Sequence, residues 1–453
     1  MIQMRQTLSC SRRGALGLLL ALICWLTWPG ASLADLDICG CVGDSRNLGN
    51  FDSHNAATFP PGTTRPVYYQ IAIPLPADGT LVFSSFTVGL TPEGYGAEVL
   101  FFHLPNPANG NRVENTPVTL LVTGNVTINA GSATGRSIIV LGNAGASGSN
   151  GVNGVGGMGG PGGFQGGAGA YQLVNLANNG GSGIGPGGGS GGTASPLTHG
   201  GPATFVGVPQ LLPLVGGSGG GGGASTNNSL GCSGGGGGGG GGAIVIAANG
   251  TITVNGNIVA DGANGGSRGS STCASSGHGG SGGAIRLLAN TITGSGALYA
   301  RGGTNPSTGA GAGAGAIRLE ALNNNMSATS TDPVATRAPA PGPVTNPLTS
   351  TVEIITVNGL SVPAPAQGFR GVVDVILPAP GPVTVVLQTM GVPTGTGVNV
   401  TAKPQVGGAP ITQTATLAPG SCDTFGTCAA TVTFASLQSG AFFIEAQATF
   451  VVP

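Results

Sequence analysis

The sequence predicts an all-β protein: a parallel β-helix (solenoid) with glycine-rich loops, followed by a C-terminal immunoglobulin-like β-sandwich. Three observations carry this reading. Short apolar runs recur with a conserved internal spacing, glycine fills the stretches between them, and the last hundred residues change to evenly spaced alternating runs.

The composition narrows the function first. Of 453 residues, 90 are glycine and only 29 are charged, the sum of 14 basic and 15 acidic side chains. Ordinary soluble domains carry about four times that share of charge, so nucleic-acid binding and charged disordered tails are excluded. Lys403 is the only lysine beyond the first 34 residues, which excludes a phosphate-binding loop of the Walker type. The glycines keep no strict period of three, which excludes collagen.

Residues 1–34 have the form of an export signal. Arg5, Arg12 and Arg13 supply the positive start, residues 15–28 the apolar stretch, and Ser32-Leu33-Ala34 the small-residue cleavage site. The pair Arg12-Arg13 also fits the twin-arginine route, and the sequence leaves the two routes open. The expected location is therefore outside the cytoplasm, in the periplasm, at the cell surface or in the medium. No other run reaches the 18 to 20 apolar residues of a membrane span.

Elements follow in chain order. Residues 35–116 carry period-2 runs at 67–73, 81–88 and 99–103, read as a β region that caps the solenoid. Residues 117–325 are read as the glycine-rich β-helix. Within them, 62 glycines fall in the 174 residues from 142 to 315. Three segments there align: AIVIAAN at 243–249, AIRLLAN at 284–290 and AIRLEAL at 316–322. Omitting Gly250 also aligns TIT at 251–253 with TIT at 291–293, and IVADG at 258–262 with LYARG at 298–302. A looser copy lies at 118–122, 126–128 and 138–141. Each unit thus holds three short strands and a loop of variable length, which predicts coils stacked about 4.8 Å apart. Residues 326–350 read as a proline-rich linker, and 351–453 as the sandwich, with runs at 352–357, 372–377, 383–387, 398–402, 431–434 and 442–452.

Six cysteines remain after residue 34, an even number that fits an oxidising compartment. Cys232 precedes Ala243 by the same 11 residues that separate Cys273 from Ala284, which places the two cysteines on adjacent coils and predicts a bridge. On the chain-entropy estimate it contributes about 4 kcal/mol. Cys422 and Cys428 are expected to close a hairpin loop. Cys39 and Cys41 are open to a mutual bridge, an intermolecular bridge or free thiols. The nine glycines 234–242 have no side chains to bury. Their backbone polar groups need partners if they are ordered, and laterally bonded extended glycine helices would supply them. For residues 142–215, solvated loops remain an equal alternative.

No catalytic, metal or cofactor site emerges. Asp261 falls above Arg301, and Arg286 lies beside Arg318 and Glu320, so ion pairs between coils account for all five charges. His54, His103, His199 and His278 share no metal-ligand spacing. Thr251 and Thr253 stack over Thr291 and Thr293, a small Thr-x-Thr array of the kind that flat glycan- or ice-binding faces use. Threonine is also simply a good strand residue.

The order of strands, glycine run, AIVIAANGTITVNG, AIRLLANTITGSG, AIRLEA, proline-rich stretch and terminal sandwich resembles a loosely defined family of secreted, glycine-rich β-helix-like proteins of Gram-negative bacteria. The resemblance covers nearly the whole chain after residue 34 and implies a fold without an assigned reaction. More distantly, the coils resemble pectin-lyase-like β-helices and the glycine runs resemble those of phage tail adhesins. Together these readings point to a non-catalytic structural or adhesive protein whose partners are extracellular polysaccharide or other envelope components. A carbohydrate-binding or carbohydrate-cleaving protein is the alternative. Two carboxylates and a basic residue gathered in one groove, away from Asp261 and Arg301, would favour that alternative.

Overall fold

The computed structural model describes residues 37–105, 112–129, 135–149, 151–171, 178–226, 232–345, 350–366, 373–405, 407–423 and 426–450. The expected export signal lies outside these residues. The chain is all-β, and helix among the described residues is limited to single 3-10 turns such as Ala56–Thr58.

Two parallel sheets share one apolar core. The first contains β1 (Asn50–Asp52), β3 (Thr80–Phe83), β4 (Ser85–Val88), β6 (Val118–Val122), β7 (Val126–Ile128), β9 (Ala243–Val254), β11 (Ala284–Thr293), β13 (Ala316–Asn324) and β15 (Thr336–Ala338). The second contains β2 (Gln70–Leu75), β5 (Glu98–His103), β8 (Arg136–Ile139), β10 (Asn257–Val259), β12 (Ala297–Tyr299) and β14 (Thr331–Asp332). From β9 onward the chain alternates between the sheets, one strand in each per repeat. Every other residue faces inward, so Ile244, Ile246 and Ala248 stack on Ile285, Leu287 and Ala289, then on Ile317, Leu319 and Ala321. Each large side chain so buried contributes about 1.5–3 kcal/mol. The extra Gly250 forms a bulge where the register of β9 against β11 shifts. Gly294 closes the turn after β11 at φ +120°, and a Cβ there would lie 2.0 Å from the Val254 carbonyl.

Residues 35–116 supply β1 to β5 to the same two sheets, with β1 and β2 at the sheet ends, and Phe51, Phe83 and Phe86 to the same core. One part of the sequence reading needs adjustment. The proline-rich stretch 326–350 also contributes, through β14 and β15, which end the two sheets. Proline lacks a ladder donor and is confined to such edges.

Glycine forms a third layer held by backbone hydrogen bonds. Along 234–242 the donors go to three neighbours in rotation. Gly235, Gly238 and Gly241 donate to Ser275, His278 and Ser281; Gly236, Gly239 and Gly242 to Ala146, Asn143 and Val140; Gly234, Gly237 and Gly240 to Ala170, Gly167 and Phe164. Three further runs donate to it: Gly154, Gly157 and Gly160; Gly223, Gly220 and Gly217; and Gly266 with Ala263. The central run therefore has six neighbours, the arrangement a three-residue-per-turn helix allows when no Cβ intervenes. Much of 142–215 joins this lattice, among it Gly180, Gly183, Gly189 and Gly192.

The C-terminal region consists of two antiparallel sheets. One orders β17 (Leu360–Ser361), β16 (Thr351–Val357), β18 (Gly381–Met390) and β21 (Thr427–Leu437); the other orders β20 (Ile411–Thr416), β19 (Gly397–Pro404) and β22 (Phe442–Ala448). They share a second core that includes Val385, Leu387, Val400 and Phe434. The run expected at 372–377 forms no strand over 373–377; Pro378 and Pro380 follow it, and Val373 and Ile376 are exposed. Lys403, buried beside Glu445, donates to the carbonyls of Gly183 and Gly185 and joins this region to the glycine lattice.

Candidate functional site

The first sheet presents two different outer surfaces, one on each side of the Gly250 bulge. Before the bulge, the outward side chains Val82, Leu121, Val245, Ala247 and Leu288 are covered by Ile38, the Cys39–Cys41 segment and Val344. Beyond it, the outward side chains of the paired strands are polar, and among the described residues this apolar cluster does not extend over them.

Thr251 pairs with Thr291, and Thr253 with Thr293, directly across adjacent strands. The second column is longer than the repeat reveals: Asp52 pairs with Thr87, Thr87 with Thr127, Thr127 with Thr253, and Thr253 with Thr293. The first column runs from Thr251 through Thr291 to Asn323, and Asn125 accepts the Thr251 N–H at 2.8 Å. Asn50 and Ser85 face each other at its far end, with Ser85 Oγ donating to Asn50 Oδ1 at 2.9 Å. All six threonines are half-buried, and their hydroxyls make no hydrogen bond to another described residue. Thr58 and Thr198, by contrast, spend theirs on local turns. Sequence comparison of the repeats reaches Thr127 only through the looser copy at 126–128 and misses Thr87, whose strand matches the later copies only in alternation.

The five charges read as ion pairs lie in two places. Arg301 bonds Asp261 through Nη2 at 2.7 Å and caps it with its own N–H, on a half-exposed surface. Arg286 and Arg318 both reach Glu320 Oε1, at 2.9 and 2.6 Å, and Gly342 N–H reaches Oε2 at 2.6 Å. Burial pushes the Glu320 carboxyl up, and these three donors outweigh it and hold the group below its ordinary value. The Arg286–Glu320 pair is 2 % exposed on both sides and fastens the 342–344 segment over the sheet. None of the five lines either of the two cavities described below.

Cys232 is bonded to Cys273 with Cα atoms 5.3 Å apart, Cys422 to Cys428 at 3.9 Å, and Cys39 to Cys41 at 5.1 Å. His199 and His278 belong to the glycine lattice, where each Nδ1 accepts a backbone N–H, from Ser276 and Gly279. Burial pushes both imidazoles below their ordinary value, with Arg268 adding to the effect at His199.

Two cavities lie elsewhere, and no ladder residue lines either of them. One of about 610 Å³ lies on the outer side of the second sheet and is lined by Gln70, Glu98, His103, Glu114 and Arg136. Gln70 Nε2 donates to Glu98 Oε2 at 3.1 Å, and His103 Nε2 lies 3.0 Å from the Thr116 carbonyl. Burial pushes the Glu114 carboxyl up. The second, about 1130 Å³, opens between β16 and β22 and is lined by apolar side chains such as Ile354, Leu377 and Phe442.

Among the described residues no helix is long and apolar enough to cross a membrane. No family model matches this chain, and neither curated proteins nor solved structures show a match to it.

Proposed function

We propose that the chain is exported and acts outside the cytoplasm as a non-catalytic structural or adhesive protein. In this reading the two parallel sheets are a parallel β-helix that serves as a rigid spacer, and the C-terminal sheets are an immunoglobulin-like sandwich that serves as a docking module. The observation that carries it is the glycine lattice. The backbone donors from Gly234 to Gly242 bond in rotation to three other runs of the chain, an arrangement that stiffens the body while presenting no side chain for chemistry. Three disulfides support an oxidising compartment. Fractionation of expressing cells, with the mature N-terminus sequenced and cell retention compared with and without residues 351–453, tests the proposal. Export with intact disulfides and retention that depends on 351–453 are expected; a reduced cytoplasmic protein overturns the reading.

One observation favours a second reading, a carbohydrate-cleaving protein. Glu98 and Glu114 line one cavity with His103 and Arg136, and a carboxyl raised by burial, as Glu114 is, suits a proton donor. Release of reducing ends from polysaccharides by the parent, lost in Glu114→Gln and Glu98→Gln, would establish it. No release from a broad polysaccharide panel removes it.

A further inference from the structure

We infer that the threonine ladder on the outer side of the first sheet is a binding surface for neutral, hydroxyl-rich polysaccharide. The inference deepens the adhesive reading and rests on it. It names a site and a ligand class that the export, rigidity and docking arguments do not.

Thr87, Thr127, Thr253 and Thr293 stand in one unbroken column, and Thr251 and Thr291 begin a second beside it. Rows repeat at about 4.8 Å up the stack, and alternate residues lie about 6.8 Å apart along a strand. Both spacings are set by backbone hydrogen bonds, so the hydroxyls are ordered before any ligand arrives and lose little on binding. β-branched side chains keep them so, since threonine has few χ1 choices on a strand.

The chemistry of the face selects the ligand. Each threonine hydroxyl is one donor and two acceptors, and none is committed to another described residue. A sugar hydroxyl has the same capacity, so the two can satisfy each other reciprocally. The flanking Asn125 and Asn323 are exposed and add amides that both donate and accept. Asp52 is the only charged residue in the columns and lies at one end, so the face offers nothing to phosphates, uronates or a basic segment. It also lacks the Trp, Tyr and Arg anchors of protein interfaces. An extended glycan laid along the stack advances one sugar over about one row spacing, which lets a weak contact repeat along the polymer. Repetition raises a weak single-row affinity by avidity.

The test uses the exported, disulfide-bonded chain and three insoluble neutral probes: cellulose, chitin and xylan particles. Retention of the parent on at least one is expected, with the bound fraction reduced at least tenfold in the double variant Thr127→Glu with Thr253→Glu. The control Gln413→Glu, on the exposed β20, should bind as the parent does. Where the double Glu variant does not fold, Thr127→Val with Thr253→Val removes the hydroxyls and keeps the strand shape; the same direction of loss at an unchanged melting temperature is expected. No retention of the parent on any probe, equal retention of parent and Val variant, or adsorption to ice alone each overturns the inference. Cell retention that survives in the ladder variants while particle binding is unchanged overturns the ladder and leaves the adhesive reading standing.

Discussion

The parallel-sheet core and the glycine lattice repeat with the same chain, yet they are stabilised in opposite ways. In the core, Ile246 stacks on Leu287 and Leu287 on Leu319, and apolar area removed from water supplies the driving force. In the lattice nothing apolar is buried along Gly234 to Gly242. Order there comes from saturating backbone hydrogen bonds in a place water cannot reach, against the large conformational entropy glycine loses. The core accommodates different aliphatic side chains at one register position, as Ile246, Leu287 and Leu319 do. Along the central run, Gly234 to Gly242, there is no room for a Cβ at any position. A fold can thus hold one part by shape-adaptable burial and another by exact backbone spacing, and the two should fail differently.

The largest expected effect breaks the lattice directly. Gly238→Val places a Cβ about 2.0 Å from the Ala263 carbonyl, so the runs must separate and strand polar groups on both sides. Overpacking and two or more lost bonds together predict destabilisation of about 5 kcal/mol. Gly311, with nothing within 4 Å of an added Cβ, supplies the contrast: Gly311→Ala should stay within about 0.5 kcal/mol. Thermal unfolding of the two variants side by side checks the difference, and equal midpoints would falsify the packed-lattice account.

Next is the buried ion cluster over the outer face. Glu320→Leu leaves Arg286 charged, 2 % exposed and without its carboxylate, for an expected cost of about 4 kcal/mol. Denaturant unfolding measures it, and Arg286→Met combined with Glu320→Leu should recover part of the loss, because the buried charge is gone while Arg318, 18 % exposed, and the Gly342 N–H still lack their acceptor.

Acidity distinguishes the two regions, since His199 and His278 are both in the lattice and the apolar core has no titratable counterpart in its interior. Their folded-state values are below the ordinary 6.5, so the unfolded chain takes up more protons as pH falls through that value. Stability contributed by the neutral imidazoles is present above about pH 6.5 and declines below it. A melting temperature that drops between pH 7.5 and 5.5 in the parent, with a shallower drop in His278→Asn, is the expected record. Parallel curves would assign the pH dependence elsewhere.

The smallest effect is expected at Asp261→Ala. Arg301 is 48 % exposed, and such pairs contribute at most about 1 kcal/mol, screened further by salt. A loss well above that in a melting experiment would mean that Asp261 acts chiefly through the Arg301 N–H its Oδ1 accepts rather than through charge.

The repeat AIVIAAN, AIRLLAN, AIRLEAL made the register of β9, β11 and β13 legible, because the inward and outward positions must alternate in step for all three strands to share a core. The same register placed Cys232 near Cys273 and Asp261 near Arg301 from sequence offsets alone. The row carrying Thr87 was not legible, and the one carrying Thr127 was visible only as a loose copy at 126–128. Thr127 and Thr253 are neighbours across more than a hundred intervening residues of glycine lattice, and the strands around them share alternation but no motif. The cavity with Glu98 and Glu114 was hidden for a similar reason, its residues coming from strands and a connecting segment with no common spacing.

The amino-acid sequence by itself determined the periodicities: which residues face inward, where glycine removes every side chain, and which cysteines share a register. Those properties are local, set by a strand period of two and by the absence of Cβ. The tertiary structure alone decided which of the two outer surfaces of the first sheet is covered and which is left as an open polar ladder. It also decided that six separate runs surround Gly234 to Gly242. Both outcomes depend on long-range closure, where segments distant in the chain are brought together by backbone bonds that carry no signature in the residues that make them.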